Sequence, residues 1–266
     1  MKTPVIALLT DFGEEDFFVG SLKGVIATIN PSVPMVDITH QVPSFDVLAG
    51  GFILHAAYRY YPSGSIFLAV VDPAVGTARK ILLVETEDYM FVAPDNGVLS
   101  LALEAENTKA LIEVKNSKYF LPLPSSTFEG RDKMAPVAAW LSKGITPSEF
   151  GPRVSDYVRM DVQKSRVEKE EILGQILYVD KFGNCITNVP TEEFRRIKDE
   201  TGEKRVICRV GKRDIARFEP SYSFVSQGEL FVLPGSLGLI EIAVREGSAQ
   251  KRLAAHPGDP VRIFLE

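Results

Sequence analysis

Short apolar runs alternate with amphipathic stretches along the first half of the chain, from Val5 to about Ser142. The short runs are rich in β-branched and aromatic residues, as buried strands are, and the longer stretches have the hydrophobic spacing of helices. In chain order they read VIALLT, FFVGSLKGVIATI, PMVDIT, DVLAGGFILHAAYRY and SIFLAVV. This alternation predicts an α/β domain with a mostly parallel sheet.

The pattern changes near the middle of the chain. Pro147 and Gly151 mark a connection, and the charged stretch QKSRVEKEE follows it. From Ile172 onward the apolar runs are short and the turns are frequent, as in ILGQILYVD, RVICRVG, ELFVLPG, LIEIAV and DPVRIFL. This spacing predicts a smaller all-β domain, a sandwich or a barrel. We therefore predict an α/β N-terminal domain at residues 1–160 and a barrel-like C-terminal domain at residues 161–266.

Polar side chains follow four of the predicted strands in the first half. In α/β sheets, ligands bind beyond the carboxyl ends of the strands, so these side chains are candidates for a site. Any one of them could instead cap a helix or brace a turn. Together they predict a polar crevice for a ligand with hydroxyl groups or positive charge. The residues are Asp11 and Asp16, Asp37 and His40, Asp72 and Arg79, and Asp95 and Asn96.

The stretch VVDPAVGTARK contains the strongest of these candidates. Asp72 stands where a buried strand must stop, because Pro73 cannot continue the ladder. Gly76 permits a tight return, so Arg79 can meet Asp72 within one loop. The pair is either a structural brace or the acid and base of a site.

Charge and composition narrow the ligand class. The 266 residues carry a net charge of −5, which argues against nucleic acid because phosphate binding needs a basic field. A small molecule is the expected ligand. Cys185 and Cys208 lie among hydrophobic neighbours, without the spacing of a zinc site, and are predicted to be buried thiols. No apolar run has the length of a membrane span and the N-terminus does not resemble a signal peptide, so we expect a cytoplasmic protein.

The common catalytic signatures do not occur in this sequence. There is no GxGxxG after the first strand, no P-loop, no GxSxG elbow and no HExxH. The histidines are His40, His55 and His256, and none has the sequence context of a Ser/His/Asp set. A site in this chain is therefore expected to work without metal, phosphate or a covalent nucleophile.

Seven motifs between Ile6 and Ala249 carry a family resemblance. The chain resembles the S-adenosyl-L-methionine (SAM) hydroxide adenosyltransferase family, whose relatives are the SAM-dependent fluorinase and chlorinase. The motifs keep the order that they have in that family, and together they are far more specific than any one alone. They read LLTDFGEEDFFVGSLKGVI, VDITHQV, VVDPAVGTAR, APDNGVLS, TFEGRDKMAPVAAWL, VDKFGNCITN and PGSLGLIEIAV.

The resemblance implies attack of water or hydroxide on C5′ of SAM, giving adenosine and L-methionine, with SAM as substrate and no metal or further cofactor. It also implies a homotrimer in which the N-terminal domain of one subunit and the C-terminal domain of the next share each site. Residue by residue, Asp11 would hold the ribose, Phe45 and Phe128 would contact SAM, Asp180 and Ser236 would hold its amino-acid end, Asn184 would read the adenine, and Phe182 would stack near it.

The family's hydroxide enzymes activate water with an Asp–Arg–His trio, and Asp72 and Arg79 match its first two members. Water ionises little at neutral pH, so a base and a fixed positive charge beside it both assist the attack. This chain has Ala74 where the family usually has glycine, which adds only a methyl group. It also reads TFEGRD where the family reads TFHGRD, so Glu129 stands in the histidine position.

Glu129 leaves two functions open. In the first, the protein is a SAM hydrolase in which Asp72 and Glu129 flank Arg79 and share one proton, because one guanidinium does not compensate two buried carboxylates. In the second, Glu129 forms a salt bridge with Arg79 and blocks water, leaving a SAM- or adenosine-binding protein with weak or lost catalysis. A halogenating enzyme is disfavoured because Asp72 and Arg79 are both present.

Overall fold

The computed structural model describes residues 4–200 and 205–266. The chain forms two compact units, one up to Met160 and one from Asp161 onward. In the described residues, no helix has the length and apolar character needed to cross a membrane.

A six-stranded sheet forms the centre of the N-terminal unit. The strand order is β2-β1-β3-β5-β4-β6. The β1–β2, β1–β3 and β3–β5 pairs are parallel, whereas β4 pairs antiparallel with β5 and β6. The predicted mostly parallel sheet is confirmed. The strands are β1 (Ile6–Thr10), β2 (Met35–Thr39), β3 (Ile66–Val70), β4 (Ile81–Thr86), β5 (Met90–Pro94) and β6 (Thr108–Glu113).

Helices cover both faces of this sheet. Ile6 and Leu8 of β1 belong to one apolar core with Leu22 and Ile26 of the first helix. The residues that alternate with them, Ala7 and Leu9, are equally buried, as expected for a strand with helices on both sides. The helices of this unit are α1 (Phe17–Ile29), α2 (Val47–Ala57), α3 (Ser100–Leu103) and α4 (Ala135–Ser142), and a π-helical turn (Gly130–Met134) leads into α4.

The topology brings the ends of four strands to one edge of the sheet. Because β2, β1, β3 and β5 run parallel and are neighbours, the segments that follow them emerge side by side. Asp11 follows β1, and Asp72 follows β3 after one further residue. The sheet therefore places these two carboxyl groups next to each other, as expected of ligand-binding edges in α/β folds.

The C-terminal unit is an antiparallel sheet that curls into a nearly closed barrel. Its strand order is β11-β10-β14-β8-β9-β13-β12, and β7 pairs with β8. A bridge between Phe218 and Val232 brings the two ends of this order together. The strands are β7 (Arg166–Glu168), β8 (Glu171–Val179), β9 (Cys185–Pro190), β10 (Val206–Val210), β11 (Arg213–Ile215), β12 (Leu230–Pro234), β13 (Leu239–Val244) and β14 (Pro260–Leu265), with helices α5 (Thr191–Glu200) and α6 (Ala249–Leu253).

Both cysteines lie in the interior of this barrel, as predicted. Cys185 and Cys208 are fully buried, free thiols in its apolar core. Burial raises the pKa of Cys185 to about 11 and that of Cys208 to about 12. Neither thiol is therefore a reactive thiolate near neutral pH.

Candidate active site

A buried ion pair between Asp72 and Arg79 connects the two ends of the loop that follows β3. The Nε–H of Arg79 donates to both carboxylate oxygens of Asp72, at 2.9 and 2.8 Å, and Nη2 donates to the same carboxylate. The side chains of Arg79 and Asp72 are only 8% and 5% exposed. Gly76 has a φ of +78°, and its backbone packs against the Ser126 carbonyl without room for a side chain. The tight return predicted from the sequence thus forms the Asp72–Arg79 contact.

Glu129 extends the pair into a chain of charges. Nη2 of Arg79 also donates to Oε2 of Glu129, whose side chain is 7% exposed. Glu129 directly precedes the π-helical turn, a feature found often at functional sites. The three residues that the resemblance assigns to catalysis therefore lie in direct contact.

A fourth charged residue changes the state of Glu129. The Nζ of Lys133 donates to Oε1, the other carboxylate oxygen. Burial favours protonation of Glu129, but the Lys133 hydrogen bond and the Arg79 charge outweigh it, so the pKa of Glu129 lies below its usual value. The prediction that Asp72 and Glu129 share a proton assumed that Arg79 was the single cation beside the two carboxylates. It is wrong because Lys133 supplies a second one, and Glu129 is ionised at neutral pH.

Asp11 shapes the neighbouring loop. Its Oδ2 accepts a 2.9 Å hydrogen bond from the backbone N–H of Phe45. Phe45 has a φ of +68°, a left-handed conformation that costs energy in a residue other than glycine, and the residue is 69% exposed. Burial and the nearby charge of Asp72 raise the pKa of Asp11, although the Phe45 N–H opposes the rise. Asp11 is therefore a partly desolvated carboxylate beside an exposed aromatic ring.

A cavity of about 290 Å³ brings these groups together. The rings of Phe12 and Phe18 meet the edge of Phe128, with centroids 5.6 and 5.2 Å apart, and form an aromatic wall. Asp11, Asp72 and Glu129 supply its charge. Predominantly apolar walls with a few convergent polar groups are typical of small-molecule sites. The lining residues are Asp11, Phe12, Phe18, Ser44, Phe45, Val70, Asp72, Val75, Thr127, Phe128, Glu129 and Gly130.

The other predicted strand ends have structural partners. Asp37 accepts from Lys23 at 2.6 Å and lies 3.0 Å from Nε2 of His40. Asp95 accepts the backbone N–H of Val158 at 2.7 Å, and Asn96 donates to the Val71 carbonyl at 2.8 Å. Asp16 stands at the N-cap position of α1, where its side chain makes no capping hydrogen bond, and it does not line the cavity. Of the polar residues predicted at four strand ends, only Asp11 and Asp72 line this cavity.

In the C-terminal unit, Asp180 organises the turn between β8 and β9. Its Oδ1 accepts the backbone N–H groups of Phe182 and Asn184, both at 2.9 Å. Its Oδ2 accepts Nδ2 of Asn184, also at 2.9 Å. Asn184 is buried, whereas Phe182 is 76% exposed. Asp180 thus has the structural role open to it as a turn residue, and the turn presents an aromatic face to solvent.

A second acid lies near this turn and was missed in the sequence. Burial, followed by the charge of Asp180, raises the pKa of Glu241 on β13. Burial and the same two carboxylates also raise the pKa of Tyr222. Phe182, Asn184 and Tyr222 line a cavity of about 430 Å³. The sequence feature that could have pointed to Glu241 is its position as a single acid within the apolar strand LIEIAV.

Ser236, which the resemblance assigns to the amino-acid end of SAM, lies beside the acidic group. It is exposed in the turn between β12 and β13. The neighbouring Gly235 packs directly on the side chain of Glu241, where a Cβ has no room. Ser236 is therefore one residue away from the acidic group formed by Asp180 and Glu241.

Family models match both units of the chain. Residues 6–151 match the SAM hydroxide adenosyltransferase N-terminal domain, and residues 174–262 match the corresponding C-terminal domain. The chain belongs to this family. The predicted resemblance and the two-part fold are thereby confirmed.

Individual relatives of this SAM hydroxide adenosyltransferase chain match most or nearly all of its length. It is 36% identical to the (R)-S-adenosyl-L-methionine hydrolase of Salinispora tropica, over 98% of each chain. It is 35% identical to the protein of that name from Thermus thermophilus, over 97% of this chain and 99% of the relative. A fluorinase of an Actinoplanes species is 30% identical over 73% of this chain and 74% of its own. The crystal structure of an uncharacterised conserved protein from Thermotoga maritima superposes with a TM-score of 0.91 at 39% identity, covering 98% of this chain and all of that one.

Proposed function

We propose that this protein is a SAM hydrolase, which transfers the adenosyl group of SAM to water and releases adenosine and L-methionine. The observation that carries the proposal is the buried chain Asp72–Arg79–Glu129, two members of which line an aromatic cavity that also contains Asp11. The full-length relatives named (R)-SAM hydrolase support the same activity.

The reaction replaces one bond to C5′ with another. Water attacks C5′ as the C5′–S bond breaks, and the bonding electron pair leaves with sulfur as the neutral thioether of methionine. The proton of water passes to Asp72, whose carboxylate lines the cavity. Arg79 lies against both carboxylates and stabilises the negative charge that develops on oxygen. SAM is the substrate and no further cofactor takes part in this scheme.

The remaining groups of the cavity suit the nucleoside part of SAM. A carboxylate accepts two hydrogen bonds from a pair of ribose hydroxyls, and Asp11 is the carboxylate that we assign to them. Phe45 and Phe128 offer aromatic surface for the nucleoside, and stacking on a base contributes about 1–3 kcal/mol. Phe45 presents its ring from the same hydrogen-bonded loop that Asp11 holds.

The acidic group of the C-terminal unit suits the amino-acid end of SAM. Within residues 4–200 and 205–266, no Lys or Arg side chain lies within ion-pair distance of Asp180 or Glu241. Uncompensated carboxylates favour a cationic ligand, and SAM carries an ammonium group. We assign Asp180 and Ser236 to this end and Asn184 and Phe182 to the adenine. In line with the family, we propose a homotrimer whose sites are shared between subunits.

The test incubates purified protein with SAM and quantifies adenosine and methionine by chromatography, in ordinary water and in water enriched in heavy oxygen. We expect equal amounts of both products and one label per adenosine. Unlabelled adenosine would exclude direct attack by water.

The contacts of Glu129 support a second candidate function, in which the protein binds SAM or adenosine without turnover. Its two oxygens are occupied by Arg79 and Lys133, so the group that replaces the family's histidine is already ion-paired. Calorimetry separates the two functions. SAM binding without release of adenosine at any pH would support the binding protein, and adenosine formation supports the hydrolase.

A further inference from the structure

Glu129 is held by two cations, one of which lies outside the family's Asp–Arg–His pattern. We propose that Lys133 is a positioning residue that keeps Glu129 ionised and fixed beside Arg79, so that Glu129 and Lys133 together replace the histidine of the family. This inference rests on the proposed SAM hydrolase activity. The observations behind it are the two contacts of the Glu129 carboxylate, Oε2 with Arg79 and Oε1 with Lys133.

The charges balance only when Lys133 is included. Asp72 and Glu129 are two carboxylates with side chains 5% and 7% exposed, and Arg79 is a single guanidinium. These three groups alone would leave one buried negative charge without compensation, which is costly in a desolvated site. Glu129 would then compete with Asp72 for Arg79 or take up a proton. With Lys133 the cluster is neutral, and Asp72 keeps its bidentate contact with Arg79.

Local geometry fixes the lysine where it is needed. Lys133 follows Glu129 by four residues, and the π-helical turn between them brings the two side chains into contact. The intervening Gly130 packs closely on Val70. The Lys133 side chain is 25% exposed, and its Nζ lies 5.9 Å from the centre of the Phe120 ring. The Lys133 side chain is therefore partly buried near the Phe120 ring while its amine contacts Glu129.

An ionised Glu129 has a defined use in the hydrolysis. A carboxylate accepts hydrogen bonds and donates none, so Asp72 and Glu129 would each accept one O–H of a water molecule in the cavity. Asp72 would take the proton and Glu129 would fix the second hydrogen. A protonated Glu129 would donate and compete for the water's lone pair. Loss of Lys133 should therefore impair hydrolysis most at acid pH, where Glu129 is then protonated.

The first experiment compares pH profiles of kcat/KM. Lys133→Met keeps an unbranched side chain that is one atom shorter and removes its charge. We expect the loss of kcat/KM to grow as the pH falls, with the acidic limb raised by about one pH unit, kcat/KM near pH 7 unchanged and a KM within a few fold. Lys133→Arg should restore the wild-type profile, and Lys143→Met, a matched change at an exposed lysine on Trp140, should leave it unchanged. A uniform loss at all pH values would overturn the inference.

A double-mutant cycle tests whether Lys133 acts through Glu129. In the Glu129→His background, Lys133→Met should have little effect on kcat, because an imidazole needs no cation to hold it. An equal loss in both backgrounds would mean that Lys133 acts elsewhere, and would contradict the inference.

A titration without substrate separates this inference from the proposed activity. Carbon-13 NMR of labelled glutamate side chains, assigned by the signal missing in Glu129→Gln, measures the Glu129 carboxyl directly. We expect Glu129 to titrate at higher pH in Lys133→Met than in the wild type. An unchanged titration would overturn the role of Lys133 whatever the activity. A shifted titration in a protein that binds SAM without forming adenosine would support the role of Lys133 and refute the hydrolase.

Discussion

The two units differ in how the charges of their carboxylate groups are compensated. In the N-terminal unit, Asp72 and Glu129 each contact a cation, and the charges cancel within the cluster. In the C-terminal unit, Asp180 and Glu241 lie near each other, and the charge of each carboxylate raises the pKa of groups around it. The first arrangement is preorganised, because its charges are held before any ligand arrives. In the proposed function, the second would be stabilised further by the ammonium group of SAM.

The difference indicates which step each unit serves. A group that takes a proton in the reaction must keep its geometry through the transition state, so the self-compensated cluster suits chemistry. A carboxylate that has no cation beside it in the protein binds a cationic ligand more tightly, because the ligand supplies the compensating positive charge. We therefore expect substitutions in the first cluster to lower kcat, and substitutions in the second to raise the Kd for SAM.

The largest effect is expected for Asp72→Asn. This change keeps the shape of the side chain and removes the proposed base, so kcat should fall by about 10² to 10⁴ fold while the Kd for SAM changes within a few fold. Steady-state kinetics and calorimetry measure the two constants. Asp95→Asn is the matched control, because Asp95 ends another strand of the same sheet and accepts the Val158 N–H. A fall in affinity equal to the fall in kcat would place Asp72 in ground-state binding.

The next effect concerns assembly. Asp180→Ala removes the acceptor of three hydrogen bonds in the β8–β9 turn and an acidic contact for SAM, so little activity should remain. If sites are shared between subunits, trimers exchanged between inactive Asp72→Asn and inactive Asp180→Ala should recover part of the wild-type rate. Light scattering measures the oligomeric state of each sample. A monomer at working concentration, or no recovery after exchange, would contradict shared sites.

A smaller effect is expected for Glu241→Gln. Removing this charge leaves Asp180 as the remaining carboxylate of the group, and the Kd for SAM should rise by about tenfold, the scale of one charge contact in a partly buried site. Calorimetry with SAM measures the change. Glu219→Gln, which alters a partly exposed ion pair with Arg217, should bind SAM as the wild type does. An unchanged Kd for Glu241→Gln would remove Glu241 from the recognition of SAM.

The smallest effects are those on stability, and they should have opposite signs in the two units. The pKa of Glu129 is lowered in the fold, so its ionised form stabilises the protein above the unfolded value near 4.3 and this contribution is lost as the pH falls. The pKa of Glu241 is raised, so ionisation costs stability above the same value. At pH 7, Glu129→Gln should lower Tm and Glu241→Gln should raise it, each by roughly 2–4 °C.

Thermal unfolding at pH 7 and at pH 4 checks both signs. The difference between each variant and the wild type should shrink at pH 4, because Glu241 is then mostly protonated and the compensated charge of Glu129 is partly lost. Shifts of the same sign for the two variants at pH 7 would show that the contrast between the units is wrong.

The Asp72–Arg79 part of the N-terminal site could be predicted from residues that are close together in the sequence. The apolar run before Asp72, the proline that ends it and the glycine that turns it back together predict the loop, and the loop forms the Asp72–Arg79 pair. The interaction is predictable because its partners are seven residues apart, and a short chain with one turn has few ways to arrange them. The strand ends at Asp37 and Asp95 looked alike in the sequence but have other partners, since turn-forming acids serve caps and loops as readily as sites.

What the sequence by itself determined was the alternation that makes the first sheet, the change to an all-β pattern in the second part, and the motifs that place the chain in its family. Only the tertiary structure decided the protonation of Glu129, because that depends on how many cations share one buried space. Arg79 comes from the loop after β3 and Lys133 from the π-helical turn. Coulomb interactions depend on distance and burial rather than on order along the chain, so the compensation of these charges appears only in the folded protein.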